Sequence, residues 1–191
     1  MSTAIMRAAS VALALGMGVS TLVGAGPASA AALDWRCTMG SHSTNPPIGT
    51  SYTNWVVGQR TNGGGSGPWA INWTRRYWLT EENYLSGGVT KQRFLNTSVA
   101  ACEFSLGLSS VTELTPQGAT EQPPCTAPGD YIQAEGGDIM AYRFIGERTS
   151  PGALGIYRKY RFWHKERQSS PGSWSYQASS VAVCLLPRAG G

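Results

Sequence analysis

Apolar and polar residues alternate in several segments of this chain, as they do in strands that bury one face. The longest alternating segment places one set of side chains on a single face, interrupted only by Arg75: Trp69, Ile71, Trp73, Tyr77 and Leu79. The segment from Cys102 to Leu108 alternates in the same way. Convincing helical periodicity is missing along the sequence, so the pattern predicts a mainly β fold.

A strand-and-turn pattern is repeated in the carboxyl-terminal third. The stretch YRFIGERTSPG runs from Tyr142 to Gly152, and YRFWHKERQSSPG runs from Tyr160 to Gly172. In each Ser-Pro-Gly turn, proline suits the second turn position and glycine tolerates the positive φ of the third. We interpret the repeat as a duplicated hairpin rather than a duplicated site. It predicts a three-stranded meander over about 139–147, 154–167 and 174–186.

The first thirty residues have the pattern of a secretory signal peptide. A short basic start at Met1 to Arg7 precedes an apolar run at Ala8 to Val23, and Ala28-Ser29-Ala30 fits a cleavage site. A retained membrane anchor is the alternative, but glycine and serine interrupt the run. We therefore predict export and one β-rich domain over 31–191, where the longest apolar run, Val181 to Leu186, is too short to span a bilayer.

Cysteine usage agrees with export. Cys37, Cys102, Cys125 and Cys184 all follow the predicted cleavage site, and their even number favours two disulfides over free thiols. None of the spacings matches the close Cys-x-x-Cys pairs of a zinc site. Spacing alone leaves three possible pairings. We favour Cys102 with Cys125 across the proline-rich loop, and Cys37 with Cys184 between the first and last strands. The expected fold is a single antiparallel β-sandwich or partly open β-barrel stapled by these two bonds.

Positive charge is concentrated in the middle strand of the predicted meander, in residues 155–168. In an extended conformation one face of this strand would alternate aromatic and basic side chains, on a surface that water reaches. Such a stripe suits phosphate or sulfate groups, with rings available for stacking. The predicted binding residues are Tyr157, Arg158, Lys159, Arg161, Trp163 and Lys165. The alternative is a solvated face on which long basic side chains cover the sheet.

Two further aromatic features bear on binding. The aromatic face at 69–79 could form a sugar-binding platform, but a strand with one apolar face more often packs against a second sheet. Trp78 falls on the opposite face beside Arg76, and we expect it to be the more exposed ring.

Signatures of catalysis, cofactors or metals do not rise above background in this sequence. The one sharply defined catalytic hypothesis is a small secreted hydrolase of the ribonuclease type, with Glu147 as base, His164 as acid, and Arg158 and Arg161 holding the phosphate. A secreted inhibitor or toxin acting through a loop such as Ser41 to Tyr52 is a further alternative.

The function we favour is a secreted binding module that requires no cofactor. Its expected partner is a polyanion or a cell-envelope glycan, contacted through the basic and aromatic strand.

Overall fold

The computed structural model describes residues 33–45, 50–64, 71–118, 123–151 and 156–186. The predicted signal segment lies outside these ranges. Within these ranges the chain forms two five-stranded sheets. In each sheet most adjacent strands are antiparallel and follow one another in the sequence. Two disulfides are present as well. The predicted mainly β, disulfide-stapled fold is confirmed.

The first sheet contains the first five strands in chain order. They are β1 (His42–Thr44), β2 (Ser51–Gly64), β3 (Ile71–Ser86), β4 (Val89–Glu103) and β5 (Leu108–Leu114). A four-residue helix, α1 (Trp35–Thr38), precedes β1. Every strand pair in this sheet is antiparallel.

The second sheet has the order β6-β10-β9-β8-β7. Its elements are β6 (Gln117–Gly118), the four-residue helix α2 (Pro123–Thr126), β7 (Tyr131–Glu135), β8 (Asp138–Pro151), β9 (Tyr157–Ser170) and β10 (Ser173–Leu185). The duplicated pattern becomes β8 and β9, and β10 completes the predicted meander. Gly172 has φ 80°, as expected for the glycine of the second Ser-Pro-Gly turn.

The main core lies between the inner faces of the two sheets. Tyr77, Leu79 and Val99 of the first sheet share one cluster with Tyr160, Phe162 and Val181 of the second. All six are buried, and fully burying one large apolar side chain contributes about 1.5–3 kcal/mol. Tyr77 and Leu79 of the aromatic face at 69–79 thus pack against a second sheet, as the alternation predicted, whereas Ile71 of the same face is exposed.

Two β-bulges bring the sheets into close backbone contact. The register of β2 shifts between Val56 and Gly58, and that of β8 shifts between Phe144 and Gly146. A Cβ added at Gly58 would lie 2.5 Å from the carbonyl oxygen of Ile145, and one at Gly146 would lie 2.6 Å from that of Val57. Larger residues at either glycine would therefore push the sheets apart.

The disulfides join Cys37 to Cys102 and Cys125 to Cys184, so both predicted pairings are wrong. Cys102 packs with α1 on the outer face of the first sheet, whereas Cys125 and Cys184 pack on the outer face of the second. Packed sheets lie about 10 Å apart, beyond the roughly 7 Å that a disulfide can bridge between Cα atoms. Each disulfide therefore fastens a short helix to the outer face of one sheet, with Cα separations of 5.7 and 5.6 Å.

Candidate functional site

The predicted basic and aromatic strand is β9, and its alternation is as expected. Lys159, Arg161, Trp163 and Lys165 point to the outer side of the second sheet, while Phe162 lies in the core between the sheets. The expected exposure is wrong for two of these residues, because Arg161 is 5% exposed and Trp163 is 1% exposed.

A cover of aromatic rings and loop residues explains this burial. The Trp163 ring packs against the rings of Tyr131 and Phe144, with centroid separations of 5.2 and 5.3 Å. The Arg161 guanidinium donates to the Pro124 carbonyl oxygen at 2.9 Å, beside the disulfide of Cys125. Alternation assigned the face correctly but could not show that α2 covers it.

The outer cations of β9 also have acidic partners. Lys159 and Arg161 both pair with Glu147, at 3.0 and 3.2 Å, and Lys165 pairs with Glu135. Arg167 lies 3.6 Å from Asp138. Most of the positive charge on this face is therefore balanced within the sheet, and contact of this strand with a polyanion remains a prediction.

The residues of the ribonuclease hypothesis are divided between the two faces of the second sheet. Glu147 and Arg161 meet on the outer face. His164 is fully buried on the inner face, where its ring contacts Tyr77. Arg158 lies two residues before Tyr160, which packs in the core, and so shares the inner face. Glu147 and His164 consequently do not meet at a common substrate position.

A cluster of polar side chains surrounds His164 between the sheets. The Tyr77 hydroxyl lies 2.7 Å from His164 Nδ1 and 2.9 Å from Ser179 Oγ, and His164 Nε2 faces Glu166 Oε1 at 3.5 Å. Glu166 accepts hydrogen bonds from Arg60. It also accepts hydrogen bonds from Asn62 on β2 and from Arg143 on β8. We call Tyr77, His164, Glu166, Arg60, Asn62 and Arg143 the inner polar cluster.

The inner polar cluster is better suited to stability than to reaction. Tyr77 and His164 are completely buried, so a substrate has no access to them. Burial lowers the pKa of His164 to about 4, against the attraction of Glu166, and the ring is neutral near pH 7. We assign the hydrogen of Tyr77 to the bond with His164 Nδ1, which places the imidazole proton on Nε2 toward Glu166.

Acid should destabilise the fold through His164. Because its pKa falls from 6.5 to about 4 on folding, the unfolded chain takes up a proton between these pH values and the native state does not. The free energy of unfolding should therefore fall by up to about 1.4 kcal/mol per pH unit across this window, and the loss from this group should end below it. Urea unfolding at several pH values measures this slope. His164→Gln should remove this part of the pH dependence, whereas the control His42→Gln should keep it. If the free energy of unfolding fell equally steeply with pH in the parent and in His164→Gln, His164 would not be the group responsible.

An open cleft of about 630 Å³ lies on the outer face of the first sheet, between α1 and the strands below it. We call it the aromatic cleft. Its lining consists of Trp35, Arg36, Met39, His42, Ser43, Thr44, Tyr52, Asn54, Thr80, Leu95 and Asn96.

Several contacts hold α1 over the sheet and thereby form one wall of the aromatic cleft. Asp34 caps the helix by accepting from the Arg36 amide at 2.8 Å. Arg76 donates to the Arg36 carbonyl oxygen at 2.8 Å, and Cys37 is bonded to Cys102. These contacts fix the position of Trp35, whose ring centroid lies 5.1 Å from that of Trp78.

The expected exposure of Trp78 is wrong, because this ring is 1% exposed. Trp35, Leu33 and the Cys37 disulfide cover it. Trp78 is therefore the base on which α1 packs, and it supports the cleft without lining it.

A chain of hydrogen bonds fixes the polar floor of the aromatic cleft. Thr80 donates to Asn54 Oδ1 at 3.0 Å, and Asn54 Nδ2 lies 3.4 Å from His42 Nε2. His42 Nδ1 lies 2.9 Å from the Gly40 carbonyl oxygen. Since that carbonyl can only accept, Nδ1 carries the proton and Nε2 accepts from Asn54. The floor is thus held in one orientation before any ligand arrives.

Free polar groups remain at the mouth of the aromatic cleft. Within the described part of the chain, the Asn96 amide and the Tyr52 hydroxyl make no side-chain hydrogen bond. None of the described lining residues is acidic. The cleft therefore combines ring surface with amide and hydroxyl groups, and it lacks the paired carboxylates of a glycosidase.

The sequence offered partial signals for the aromatic cleft. The segment Ser41 to Tyr52, considered above as an interaction loop, supplies His42, Ser43, Thr44 and Tyr52. Residues 46–49 of that segment lie outside the described ranges. Asn54, Thr80 and Asn96 become neighbours only through strand pairing, which aligns Thr80 with both asparagines.

No protein-family model, curated protein or solved structure matches this chain. The observed class is a disulfide-stapled antiparallel β-sandwich with a preformed cleft on one outer face. Among the described residues no helix is long and apolar enough to cross a membrane, and no group of metal-ligating side chains is present.

Proposed function

We propose that this protein is a secreted glycan-binding module whose aromatic cleft holds a neutral sugar unit. The observation that carries this proposal is the lining of the cleft, in which aromatic and aliphatic walls face an ordered row of amide and hydroxyl groups. Its volume of about 630 Å³ is within the range of roughly 300–1,000 Å³ that is usual for small-molecule sites.

Sugars present apolar ring faces and polar edges, and the aromatic cleft has a complementary surface for each. Tyr52 offers a half-buried ring with a free hydroxyl, and Asn96 offers an amide that can both donate and accept. Arg36 is engaged with Asp34 and lies 4.5 Å over the Trp35 ring, so its charge is already balanced. These features favour a neutral ligand over a charged one.

Secretion supports a glycan partner at the cell envelope or outside the cell. The apolar start of the sequence predicts export, and two disulfides are compatible with an oxidising extracellular environment.

Binding to immobilised neutral polysaccharides, including N-acetylated ones, tests the proposal. Tyr52→Ala should weaken binding roughly tenfold through lost ring contact and a lost hydrogen bond, and Asn96→Ala should weaken it severalfold. Calorimetric titration with the best oligosaccharide measures both effects.

Matched controls exist outside the cleft. Phe104 is an exposed aromatic residue in the turn between β4 and β5, Asn72 is an exposed asparagine on β3, and neither lines the cleft. Phe104→Ala and Asn72→Ala should bind as the parent does. Failure of the folded parent to bind any neutral glycan, or equal binding by Tyr52→Ala and Asn96→Ala, would reject the aromatic cleft as a sugar site.

A further inference from the structure

Exposed apolar side chains lie at the ends of two hairpins, one formed by β3 and β4 and the other by β8 and β9. Leu85 and Val89 flank the turn of the first hairpin and are 77% and 61% exposed. Ile156 and Tyr157 lie where β9 begins, and both are more than half exposed. A group of exposed apolar side chains, unlike a single one, usually marks an interaction site.

The two hairpin ends lie side by side at one end of the sandwich. The cleft between them is lined by residues of both hairpins, including Tyr84, Thr90, Lys91, Pro151 and Tyr157. Each exposed apolar residue named above either belongs to this lining or adjoins one of its members in the chain. We call Leu85, Val89, Ile156 and Tyr157 the apolar tip.

A tight turn makes the first hairpin narrow at its end. Ser86 pairs with Val89, so Gly87 and Gly88 alone connect β3 to β4. Both glycines have positive φ, 62° and 77°, as a two-residue type I′ turn requires. A Cβ added at either glycine would meet no atom of the described residues within 4 Å. Leu85 and Val89 therefore flank a narrow projection, which suits insertion between lipid headgroups better than packing against a flat protein face.

The hairpin ends behind the apolar tip carry an excess of positive charge. Residues 81–94 and 147–161 contain six lysines or arginines and three glutamates, which accounts for three of the four net positive charges of the whole chain. Lys91 is exposed and has no ion pair among the described residues. Lys159 and Arg161 share the single carboxylate of Glu147. Such an excess is attracted to the anionic headgroups of a lipid surface.

The turn between β4 and β5, at the opposite end of the first sheet, has apolar surface but a different charge. Phe104 and Leu106 in this turn are also more than half exposed. The Glu103 carboxylate accepts hydrogen bonds from the Ser105 and Leu106 amides, so a negative charge lies within the turn. This turn therefore provides a matched control for the apolar tip.

We propose that the apolar tip inserts into the surface of a membrane that contains anionic lipids. The aliphatic side chains enter the boundary between headgroups and acyl chains, and the Tyr157 ring with its hydroxyl suits the headgroup level. Lys91 lies behind them, near the lipid phosphates. This contact needs no membrane-spanning segment. No residue of the apolar tip lines the aromatic cleft, so the two proposals stand or fall separately.

Co-sedimentation with lipid vesicles tests the proposal. The chain without residues 1–30 is used, because their apolar run would bind lipid by itself. Every described strand and both disulfides lie outside residues 1–30. Binding to vesicles of phosphatidylcholine and phosphatidylglycerol in roughly equal amounts should exceed binding to phosphatidylcholine alone, and sodium chloride should weaken it.

Substitutions in the two hairpins separate the apolar from the electrostatic contribution. The double variant Leu85→Ser with Val89→Ser should weaken binding to the anionic vesicles at least about tenfold, because it removes apolar surface that leaves water on insertion. Tyr157→Ser tests the second hairpin and should weaken binding severalfold. Lys91→Gln should weaken binding to the anionic vesicles about fivefold and leave binding to phosphatidylcholine unchanged.

The matched control is the double variant Phe104→Ser with Leu106→Ser, which removes two exposed apolar side chains from the opposite end and should bind as the parent does. Urea unfolding confirms that each variant is folded. If the parent does not bind the anionic vesicles, or if the Leu85 and Val89 variant binds them as well as the parent, the proposal is wrong. It is also wrong if sedimentation velocity shows a parent dimer that this variant abolishes while vesicles bind neither protein, since the tip would then contact a second copy of the chain.

Discussion

Replacing Glu166 with alanine is expected to lower the free energy of unfolding by about 3–5 kcal/mol, because breaking a buried ion pair leaves its partners uncompensated. The Glu166 side chain is 3% exposed and joins Arg60 of the first sheet to Arg143 of the second, at 2.9 and 3.0 Å. Its removal leaves Arg60 with no acidic partner among the described residues, and it leaves Arg143 with only the exposed Asp130 at 3.3 Å. Urea unfolding at neutral pH measures the loss.

Two comparison variants make the Glu166 result specific. Glu166→Gln keeps one acceptor oxygen and should cost less than Glu166→Ala. Glu113 is exposed on β5, and Glu113→Ala should change stability by no more than about 0.5 kcal/mol. A loss in Glu166→Ala no greater than that in Glu113→Ala would show that the inner polar cluster does not hold the sheets together.

The pH dependence of Glu166 reinforces that of His164. Burial opposes ionisation, but hydrogen bonds from Arg143 and Arg60 prevail and lower the Glu166 pKa below its usual 4.5. A carboxyl group whose pKa is lower in the folded state stabilises above its unfolded pKa, and this contribution is lost as the pH falls through the folded value. Acid therefore acts first through His164 and then through Glu166.

Several strands were predictable because their physical cause is local, but the alternating segment at 102–108 is not a strand, since residues 104–107 form the turn between β4 and β5. A strand with one buried face must alternate, and the segment containing Tyr77 and Leu79 does so. The repeated Ser-Pro-Gly turns likewise located β8, β9 and β10. These features need no knowledge of distant partners.

The cover on the outer faces was not predictable from alternation. Trp78 and Trp163 both point away from the central core, and a pattern of period two marks such residues as exposed. Their actual covers are α1 and α2, each four residues long and too short to show helical periodicity. The disulfide pairing failed for the same reason, since it depends on where these helices lie.

The candidate site was only partly predictable, because its residues come together through long-range pairing. Tyr52 lies in a segment that was considered as an interaction loop, but Trp35 and Asn96 are separated by most of the first sheet in sequence. The ion pairs between strands could not be predicted from the sequence either. Nothing in the sequence near Lys159 shows that its ammonium group lies 3.0 Å from Glu147, the residue opposite Arg161 on the neighbouring strand.

Removing the Cys37–Cys102 disulfide should have an effect of comparable size on stability and a distinct effect on the aromatic cleft. The two cysteines are 65 residues apart, and the chain-entropy model gives about 4 kcal/mol for closing a loop of that length. The double variant Cys37→Ala with Cys102→Ala avoids a free thiol, and urea unfolding measures its loss.

The second disulfide provides a matched comparison, because it closes a sequence separation of 59 on the other sheet. The double variant Cys125→Ala with Cys184→Ala should lose a similar free energy of unfolding. The two variants should differ in ligand binding, since Cys37 anchors the helix that carries Trp35 and Arg36 to the aromatic cleft, whereas Cys125 does not contribute to that cleft. Under conditions in which both variants remain folded, loss of the first bond should weaken glycan binding, and loss of the second should leave it unchanged. Equal glycan affinity in the two variants would mean that the position of α1 does not govern the aromatic cleft.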